Sequence, residues 1–392
     1  MKLSKTSIGL LCLSGALSSA MAEVKISGTV DQSLERFITK TNPNLGAYTG
    51  SDNVVRSGST LANYSYLSFS GTEPINSNLK ATYEISFKYY GPDPENRTPV
   101  NYLSHVGLEG GFGKLKLGRQ WRPLFTAVAA IDPTQLAATP GFAGAGKSGT
   151  GLSGLAPEPN NNTITYNLPS LMPGLFVQVQ KGLADATQGE NAGGFVILTD
   201  GQKFFATYAK HTEKMIAGSY FAASATGTNA ISSTKLPVPG GGGATATLAQ
   251  LTVAGVNGLP HILYGGSTYA GGDTRESDGV AGYYNFGTFK LVGGFVTEKV
   301  KGSQAKLEMD VIGFKLPLGT QAHLGYLYSK AVHTRAAGTT FNISGDKVLL
   351  TYDLSKRTTS YLAWGKQRLD GKTTAGNEFS SQINAIGIQH KF

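Results

Sequence analysis

The sequence has little that could cross-link the chain or carry it through a membrane as a helix. Its only cysteine, Cys12, lies near the start, so the rest of the chain can form no internal disulfide. It has no apolar run of about 18 residues, and its mean hydropathy of -0.12 excludes a polytopic helical membrane protein. With 15% charged and 10% aromatic residues, it does not fit a coiled coil or a charged disordered chain. Composition leaves two or three soluble domains or one closed barrel.

The first 22 residues are typical of a cleaved signal peptide. Lys2 and Lys5 precede an apolar stretch over residues 8–17, and Ala20 and Ala22 supply the small residues of a cleavage site. The residues before Cys12 make no convincing lipoprotein signal, so no lipid anchor is expected. Because the segment removes two lysines and no acid, the formal charge falls from +9 to +7 over residues 23–392. A basic excess of this size is also compatible with ordinary solubility.

Hydrophobic residues alternate with polar ones along most of the remaining chain. Residues 24–31 place Val, Ile, Gly and Val on one face and Lys, Ser, Thr and Asp on the other. The same period of two recurs over residues 79–89, 163–168, 348–352 and 386–392. This periodicity predicts β-strands with one apolar and one polar face. A soluble β-sandwich alternates in the same way, so the pattern alone does not decide the environment.

Three further features favour an outer-membrane barrel. Short turns alternate with long polar connections, which include residues 39–60, 91–101, 331–344 and 368–381. Tyrosine pairs stand at strand ends, where amphipathic rings suit a lipid–water boundary, although cross-strand pairs in a soluble sheet would look similar. The chain also stops on Phe392, in the middle of a strand pattern.

Five sequence strings carry a resemblance to a known family: VKISGTVD at 24–31, FSGTE at 69–73, VGLEGGFGKLKLGRQ at 106–120, YDLSKRT at 352–358 and GIQHKF at 387–392. In this order and spacing the chain resembles the general porins of the Gram-negative outer membrane, above all the trimeric porins of Neisseria and other beta-proteobacteria. The resemblance implies an all-β fold, a 16-stranded antiparallel transmembrane β-barrel with short periplasmic turns, long extracellular loops and an inward-folded third loop. It also implies a homotrimer, and a terminal Phe392 that is read by the barrel assembly machinery.

Sixteen strands can be placed in this frame. They are expected near residues 24–38, 61–72, 79–90, 102–110, 113–121, 162–168, 174–182, 193–200, 203–211, 274–286, 288–299, 305–316, 320–331, 345–353, 358–367 and 382–392. The segment 212–273 is the weakest part of the assignment. We interpret it as one long surface loop, but two apolar patches within it would give eighteen strands if both crossed the membrane.

A barrel of sixteen strands encloses a water-filled lumen, whereas eight strands are filled by their own side chains. The segment 122–161, which contains Asp132 and Glu158, is too long and too apolar for a simple hairpin tip. In the resembling family this third loop folds into the barrel and narrows the pore. The family's Pro-Glu-Phe-Gly-Gly-like segment has only approximate counterparts here, at 140–144 and 157–158.

Basic residues on the wall opposite such a loop would favour anions. Because Leu115 and Leu117 are expected to face outward, Lys114 and Lys116 are expected to face the lumen. The other candidates are Lys80, Glu84 and Lys88 on the third strand, Arg119 if a bulge breaks the alternation, and Arg122 at the loop entrance. Each could instead be a rim charge or a partner for lipid phosphate. Together they predict a weak preference for anions.

No catalytic or metal-binding motif stands out. The six histidines are scattered singly, without metal-ligand spacing or a recognisable nucleophile turn. The run 240–243 of four glycines lacks the residues of a phosphate loop, and no helix or aromatic platform suits nucleic acid. We therefore expect no enzyme and no cofactor. The expected partners are small hydrophilic solutes and ions, outer-membrane lipid and lipopolysaccharide. A substrate-specific channel of the same fold, a surface adhesin and a soluble β protein remain as alternatives.

Overall fold

A computed structural model describes most of the chain in thirteen stretches. They are residues 23–40, 52–58, 60–61, 65–89, 100–129, 131–135, 159–184, 189–214, 273–302, 304, 306–334, 340–371 and 378–392. The predicted signal peptide, Glu158 and most of the segment 212–273 lie outside these residues. No helix in the described stretches is long and apolar enough to cross a membrane.

Seventeen strand segments and one short helix make up the described structure. They are β1 (Glu23–Lys40), β2 (Asp52–Gly58), β3 (Ser65–Asn76), β4 (Leu79–Tyr89), β5 (Val100–Gly110), β6 (Gly113–Gln120), α1 (Pro123–Ala129), β7 (Asn160–Asn167), β8 (Leu175–Gly182), β9 (Asn191–Thr199), β10 (Phe204–Lys214), β11 (Thr274–Asn285), β12 (Lys290–Val300), β13 (Lys306–Leu318), β14 (Ala322–Thr334), β15 (Thr340–Asp353), β16 (Thr358–Gly371) and β17 (Glu378–Lys391).

The segments form one closed antiparallel sheet with sixteen strand positions. Neighbouring strands pair in sequence order, and β17 returns to pair with β1. The segments β2 and β3 share one position, because β2 pairs with the second half of β1 and β3 with the first half. A closed sheet leaves no strand edge with unpaired backbone groups, as a bilayer demands. The predicted sixteen-stranded barrel is confirmed.

The alternative with eighteen strands is wrong. Strand β10 pairs directly with β11 over its whole length, from Phe204 opposite Tyr284 to Lys214 opposite Thr274. No strand can therefore be inserted between them, and the connection 215–273 leaves and re-enters the wall at adjacent positions.

The sequence predicts seven short turns, at 73–78, 110–113, 169–174, 201–202, 287, 317–319 and 354–357, and each overlaps an observed connection between paired strands. Most of the predicted strands, however, end too early on the loop side. The connection expected over 331–344 shrinks to residues 335–339, because β14 and β15 continue to Thr334 and from Thr340. The second strand, expected over 61–72, is instead interrupted and divided between β2 and β3. At the rim both faces of a strand meet polar surroundings, so the alternation that marks the strand disappears from the sequence there.

The two faces of the barrel are inverted relative to a soluble protein. On β1 the outward Val24 and Leu34 are 58% and 62% exposed, whereas the inward Asp31 and Glu35 are 0% and 5% exposed. Large apolar side chains are likewise exposed on every strand from β4 to β17 except β14. Inward positions carry buried Thr, Ser, Gln and charged residues. This arrangement suits lipid outside and a polar interior.

The last residue joins the two ends of the barrel. The backbone N–H of Gly28 donates to the Phe392 carbonyl at 3.1 Å, and the Phe392 N–H donates to the Gly28 carbonyl at 3.1 Å. The Phe392 ring covers Gly28 so closely that a Cβ atom there would lie 2.6 Å from the ring. Phe392 thus contributes both backbone pairing and ring packing to the closing strands.

Deletion of Phe392 is expected to reduce the amount of folded barrel in the outer membrane without affecting export. The deletion removes two hydrogen bonds and the ring that packs on the first strand, so closure of the barrel becomes less favourable. The measurement is the ratio of heat-modifiable folded protein to periplasmic unfolded chain. Phe392→Tyr, which keeps the ring and the backbone, serves as the control, and a normal yield after deletion would contradict the role assigned to this residue.

Candidate functional site: the barrel interior

The third loop, the connection between β6 and β7, enters the barrel directly after β6. Helix α1 packs on β8, β9, β10 and β11. Its Leu124 and Ala127, with Ile131 beyond it, are 1%, 0% and 3% exposed and belong to one hydrophobic cluster. The inner wall contributes Phe195, Ala209, Ala281, Val292, Val296, Leu307, Met309, Val311, Leu327 and Ala331 to this cluster. These inward-facing residues on β9 to β14 form an apolar surface on which the loop packs.

A buried ionic network fixes the entrance of the loop. Arg122 donates to Glu213 on β10 at 2.9 Å, and Arg275 on β11 donates to the same carboxylate oxygen at 2.6 Å. Arg275 also approaches Glu298 on β12 at 3.9 Å, and the Ser277 hydroxyl donates to Glu298 at 2.8 Å. The Glu213 side chain is fully buried. Two arginines and two glutamates thus neutralise one another and connect the loop to three strands.

A second contact lies farther along the loop. The Pro133 carbonyl passes so close to Gly325 on β14 that a Cβ atom at Gly325 would lie 2.1 Å from its oxygen. Asp132 closes the turn here, since its Oδ1 accepts from the Thr134 N–H at 2.7 Å and from the Thr134 hydroxyl at 2.6 Å. The charge of Asp132 also acts on Lys347 of β15, which is 0% exposed. The loop therefore reaches from β6 across the interior to β14 and β15.

Glu213→Gln is expected to loosen the third loop. The substitution leaves Arg122 and Arg275 without the carboxylate they share, and breaking a buried ion pair in this way costs about 3–5 kcal/mol. We expect a lower unfolding temperature and larger current fluctuations in single channels. Glu190→Gln is the matched control, because Glu190 is an exposed glutamate that also contacts two cations. If current fluctuations in the Glu213 variant were no larger than in the native protein, the ionic network would not be what holds the loop.

The inner face of β4, β5 and β6 is rich in lysine. By strand parity Lys80, Lys88, Lys114 and Lys116 share this face with Glu84 and Glu109. The Glu109 carboxylate forms ion pairs with the ammonium groups of Lys80 at 3.4 Å and Lys114 at 3.1 Å. The four lysines and two glutamates leave this part of the wall with a formal charge of +2.

Lys116 lies in a row of small side chains. It stands opposite Gly107 on β5 and Thr165 on β7, and Thr82 of β4 is the next residue in the row. A Cβ atom at Gly107 would lie 3.1 Å from Lys116 Cγ, so the glycine leaves room for the lysine to lie along the wall. The predicted inward direction of Lys114 and Lys116 agrees with this register.

Lys88 has a different environment, close to aromatic rings. It is 6% exposed, and its Nζ lies 5.1 Å from the centre of the Tyr102 ring. Tyr102 meets Trp121 edge-on at 4.9 Å, and Trp121 stacks on Phe125 of α1 at 4.0 Å. These rings pack the start of the third loop against β5.

Arg119 was predicted to face the lumen only if a bulge breaks the regular alternation of the strand, and the structure has such a bulge beside it. Gly118 has a φ of +128°, and the pairing of β6 with β7 shifts between Gly118 and Gln120. The Arg119 guanidinium donates to the Tyr102 and Pro159 carbonyls at 3.1 Å each, and to the Asn161 side chain. It thereby ties together the two ends of the third loop.

The predicted site residues therefore divide into three groups. Lys80, Lys114 and Lys116 line the wall, Arg119, Arg122 and Asp132 hold the third loop, and Lys88 packs on an aromatic ring. Glu158 lies outside the described residues. Glu213, Arg275 and Glu298 were not predicted from the sequence, although two acids and a base at inward positions of neighbouring strands are a possible signal. Within the described stretches, no three His, Cys, Asp or Glu side chains are grouped so that they could hold a metal ion.

Similar sequences are outer-membrane proteins. The chain is 31% identical over 117 residues to major outer membrane protein P.IB of Neisseria meningitidis, which covers 29% of this chain and 33% of that protein. It is 28% identical over 217 residues to outer membrane porin protein 32 of Delftia acidovorans, which covers 51% of this chain and 57% of that protein. The chain thus matches between a third and somewhat over half of the length of these relatives.

Solved porin structures share the fold along nearly the whole chain. The anion-selective porin from Comamonas acidovorans superimposes with a TM-score of 0.67 at 20% identity, over 95% of this chain and 100% of that one. OmpT of Vibrio cholerae gives a TM-score of 0.64 at 14% identity, over 96% and 99%. The family model described as Gram-negative porin matches residues 9–372. With its closed barrel, inward third loop and lipid-suited outer face, the chain belongs to the Gram-negative porin family of the outer membrane.

Proposed function

We propose that the protein is a passive diffusion channel for small hydrophilic solutes and ions, with a weak preference for anions. The observation that carries this proposal is the inner wall of β4, β5 and β6, where four lysines face two glutamates within a barrel of sixteen strand positions. Barrels of this size hold water, so the lysines act on ions that pass close to them.

The third loop sets the size of the passage. It packs on the inner face of β8 to β14, so the remaining path runs along the lysine-bearing wall on the other side. Lys80, Lys114 and Lys116 attract anions into the narrow part of this path. Lys88, which packs on the Tyr102 ring, adds to the positive electrostatic field. Arg119, Arg122 and Asp132 act mainly by positioning the loop, and Glu158 is a further candidate at the constriction.

Two charges and one structural comparison support a preference for anions. The charge of the predicted mature chain is +7, and the lysine-rich wall has a local charge of +2. The porin of Comamonas acidovorans, which has the same fold, is described as anion-selective. A fixed positive charge in a narrow aqueous passage raises the local concentration of anions.

We also propose how the protein is processed, assembled and placed in the membrane. Residues 1–22 act as a cleaved signal peptide and residues 23–392 form the barrel. The channel assembles as a homotrimer, contacts outer-membrane lipid and lipopolysaccharide, and presents Phe392 to the barrel assembly machinery. The channel needs no cofactor and carries out no reaction.

Liposome swelling tests the proposed function. Purified protein in liposomes should admit small neutral sugars at rates that fall steadily with solute size and rise linearly with concentration. Saturation of the rate by one solute would indicate a substrate-specific channel instead. No swelling with any solute would contradict a channel function and favour an adhesin.

A further inference from the structure

The pairing of β1 passes from β2 to β3 with an insertion of four residues in the second strand. Ser33 of β1 lies opposite Gly58, whereas Thr29 lies opposite Tyr66. Three residues separate the two positions on β1, but seven separate them on the second strand, so the second strand carries four residues more than β1 can pair. Because four is an even number, the side chains on either side of the insertion keep their inward and outward directions. The insertion therefore interrupts the wall without inverting its two faces.

We call residues 59–64, between β2 and β3, the strand insertion. Thr60 and Leu61, its described members, are 0% and 3% exposed, although the barrel is wide enough to hold water. Leu61 belongs to a hydrophobic cluster whose other members lie on the inner face of β15, β16 and β17: Leu349, Tyr361, Ala363, Ile383 and Ala385. The strand insertion thus turns into the barrel and covers part of the wall beyond β1.

Hydrogen bonds to β1 and β16 anchor the strand insertion. The Thr60 hydroxyl donates to Glu35 of β1 at 2.8 Å. The Leu61 N–H donates to the Tyr361 hydroxyl of β16 at 3.3 Å, and that hydroxyl donates to Asp31 of β1 at 2.8 Å. Asp31, Glu35 and Tyr361 are all buried, so these hydrogen bonds are shielded from water and are stronger than they would be in water.

Two glycines give the anchoring side chains room to lie flat on the wall. A Cβ atom at Gly387 of β17 would overlap the Tyr361 hydroxyl, which passes over this position to reach β1. A Cβ atom at Gly58, the last residue of β2, would overlap the Glu35 carboxylate. A larger side chain at either position would push its neighbour toward the lumen. The wall on both sides of β1 is therefore shaped for these contacts.

The covered patch lies where water would otherwise meet apolar side chains. Leu349, Ala363, Ile383 and Ala385 face inward, and a water-filled lumen alone would not favour them there. The third loop covers a similar apolar surface on β9 to β14. The two covers together lie against the wall between β9 and β17, whereas the lysines of the proposed ion path lie on β4 to β6.

We propose that the strand insertion is a second specificity-determining element of the channel. Leu61 excludes water from the inner wall of β15 to β17 and thereby confines ions and solutes to the side of the lumen that carries the lysines. The inference rests on the proposed channel function. It adds to that function an element of the wall itself, which is separate in sequence from the third loop and is anchored to β1 and β16.

Excision of residues 61–64 removes the strand insertion with the least change to the wall. It leaves Ser59, Thr60 and Ser65 to face the three residues of β1, so that the second strand can pair with β1 without interruption. Because the excision takes out four residues, β3 keeps its register and its faces. The matched control excises the four glycines 240–243, in the connection between β10 and β11.

Thiol labelling tests whether the strand insertion keeps water from the wall. Cys12 is the only native cysteine, so Ala363→Cys introduces the only thiol in residues 23–392. Ala363 is 4% exposed, and folded protein in detergent should therefore react slowly with a charged methanethiosulfonate reagent. After excision of residues 61–64, the rate at Ala363→Cys should approach the rate at Ser70→Cys, a half-buried inward position on β3.

A thiol beneath the third loop controls for general opening of the barrel. Ala281 is 3% exposed and lies in the cluster that the third loop covers. Ala281→Cys should react slowly both with and without the strand insertion. Equal acceleration at Ala281→Cys and Ala363→Cys would mean that the excision loosens the whole interior, and this result would overturn the proposal.

The excised protein should conduct better and select less. Water admitted at β15 to β17 lies across the lumen from β4 to β6, and charges are screened over about 8 Å at physiological salt. Ions on the new path therefore pass the lysines at a greater distance. We expect a higher single-channel conductance and a smaller displacement of the reversal potential toward the chloride equilibrium potential, with neither change after excision of 240–243.

Tyr361→Phe tests the same cover without changing the length of the chain, and it decides the question if the excised protein does not fold. The substitution keeps the ring but removes the hydroxyl that binds Leu61 and Asp31. Loss of one such hydrogen bond changes a population about fivefold, so labelling of Ala363→Cys should accelerate by about that factor. The matched control is Tyr326→Phe, which removes a hydroxyl bonded to Asp346 on the outer face and should leave the labelling rate as it is.

The outcomes separate this proposal from the channel function on which it rests. Unchanged labelling of Ala363→Cys in the excised protein or, if that does not fold, in Tyr361→Phe would overturn the proposal. Faster labelling in the excised protein without a change in conductance or reversal potential would overturn it as well. If the native protein conducts and either result is found, the channel function stands and only the role of the strand insertion is refuted. If neither protein conducts, the channel function itself is refuted.

Discussion

Replacement of Lys80, Lys114 and Lys116 by Gln is expected to change the channel from weakly anion-selective to cation-selective. The three substitutions change the formal charge of the inner face of β4 to β6 from +2 to -1, because Glu84, Glu109 and Lys88 remain. The barrel itself should persist, since each of these side chains contributes no backbone pairing and Lys80 is more than half exposed. The measurement is the reversal potential under a tenfold KCl gradient.

Salt dependence makes this prediction sharper. Charges in water are screened over about 8 Å at physiological salt and over about 3 Å at 1 M. The shift in reversal potential should therefore be large at low mean salt and small at high mean salt. Arg119 and Arg122 are left unchanged in this variant, because their substitution would also release the third loop.

The matched control removes three lysines from the outer face. Lys181, Lys214 and Lys299 lower the charge of the chain by the same amount when replaced by Gln, but they face away from the lumen. Their removal should leave the reversal potential unchanged. Equal shifts of the reversal potential in both variants would mean that the total charge of the chain, and not the inner wall, determines selectivity. If neither variant shifted the reversal potential, Lys88 and Lys347 would be the next residues to replace.

Deletion of residues 136–155 from the third loop is expected to raise the conductance and admit larger sugars. The sixteen strand positions pair with one another all the way round, so the wall does not need this segment to close. The described part of the loop, from Arg122 to Thr134, stays attached through the ionic network and the contact with Gly325. Single-channel conductance and the size limit in liposome swelling report the result.

A deletion of equal length elsewhere controls for general damage to the barrel. Residues 230–249 lie in the connection between β10 and β11, whose ends meet at adjacent strands. Their deletion should leave the size limit as it is. An unchanged limit after deletion of 136–155 would show that the constriction lies elsewhere, and a change after deletion of 230–249 alone would place it in that connection.

Much of the fold could be predicted because the bilayer imposes a simple pattern on the chain. Outward residues such as Val280, Phe295 and Ile312 must be apolar, whereas their inward neighbours can be polar, so the alternation identifies the strands. The interrupted second strand escaped prediction. Its first part, β2, reads Asp-Asn-Val-Val-Arg-Ser-Gly and shows no alternation, and only pairing with β1 makes it a strand.

The interior was harder to predict than the wall. The third loop was expected to fold inward only through family resemblance, although β13 carries a physical signal. Leu307, Met309 and Val311 are apolar and face inward, which a water-filled lumen alone would not favour, so they indicate that something covers them. The partners of Arg122 could not be predicted, because Glu213 lies 91 residues away and meets it only through the path of the loop.

The reversal potential of the unmodified protein in a planar bilayer tests the central claim most directly. The claim is an open aqueous channel whose narrow part has a positive wall. Under a tenfold KCl gradient at low mean salt, we predict stepwise ohmic currents and a reversal potential displaced toward the chloride equilibrium potential, with a smaller displacement near 1 M salt. A reversal potential displaced toward the potassium equilibrium potential, or the absence of conducting steps from folded protein, would contradict this account.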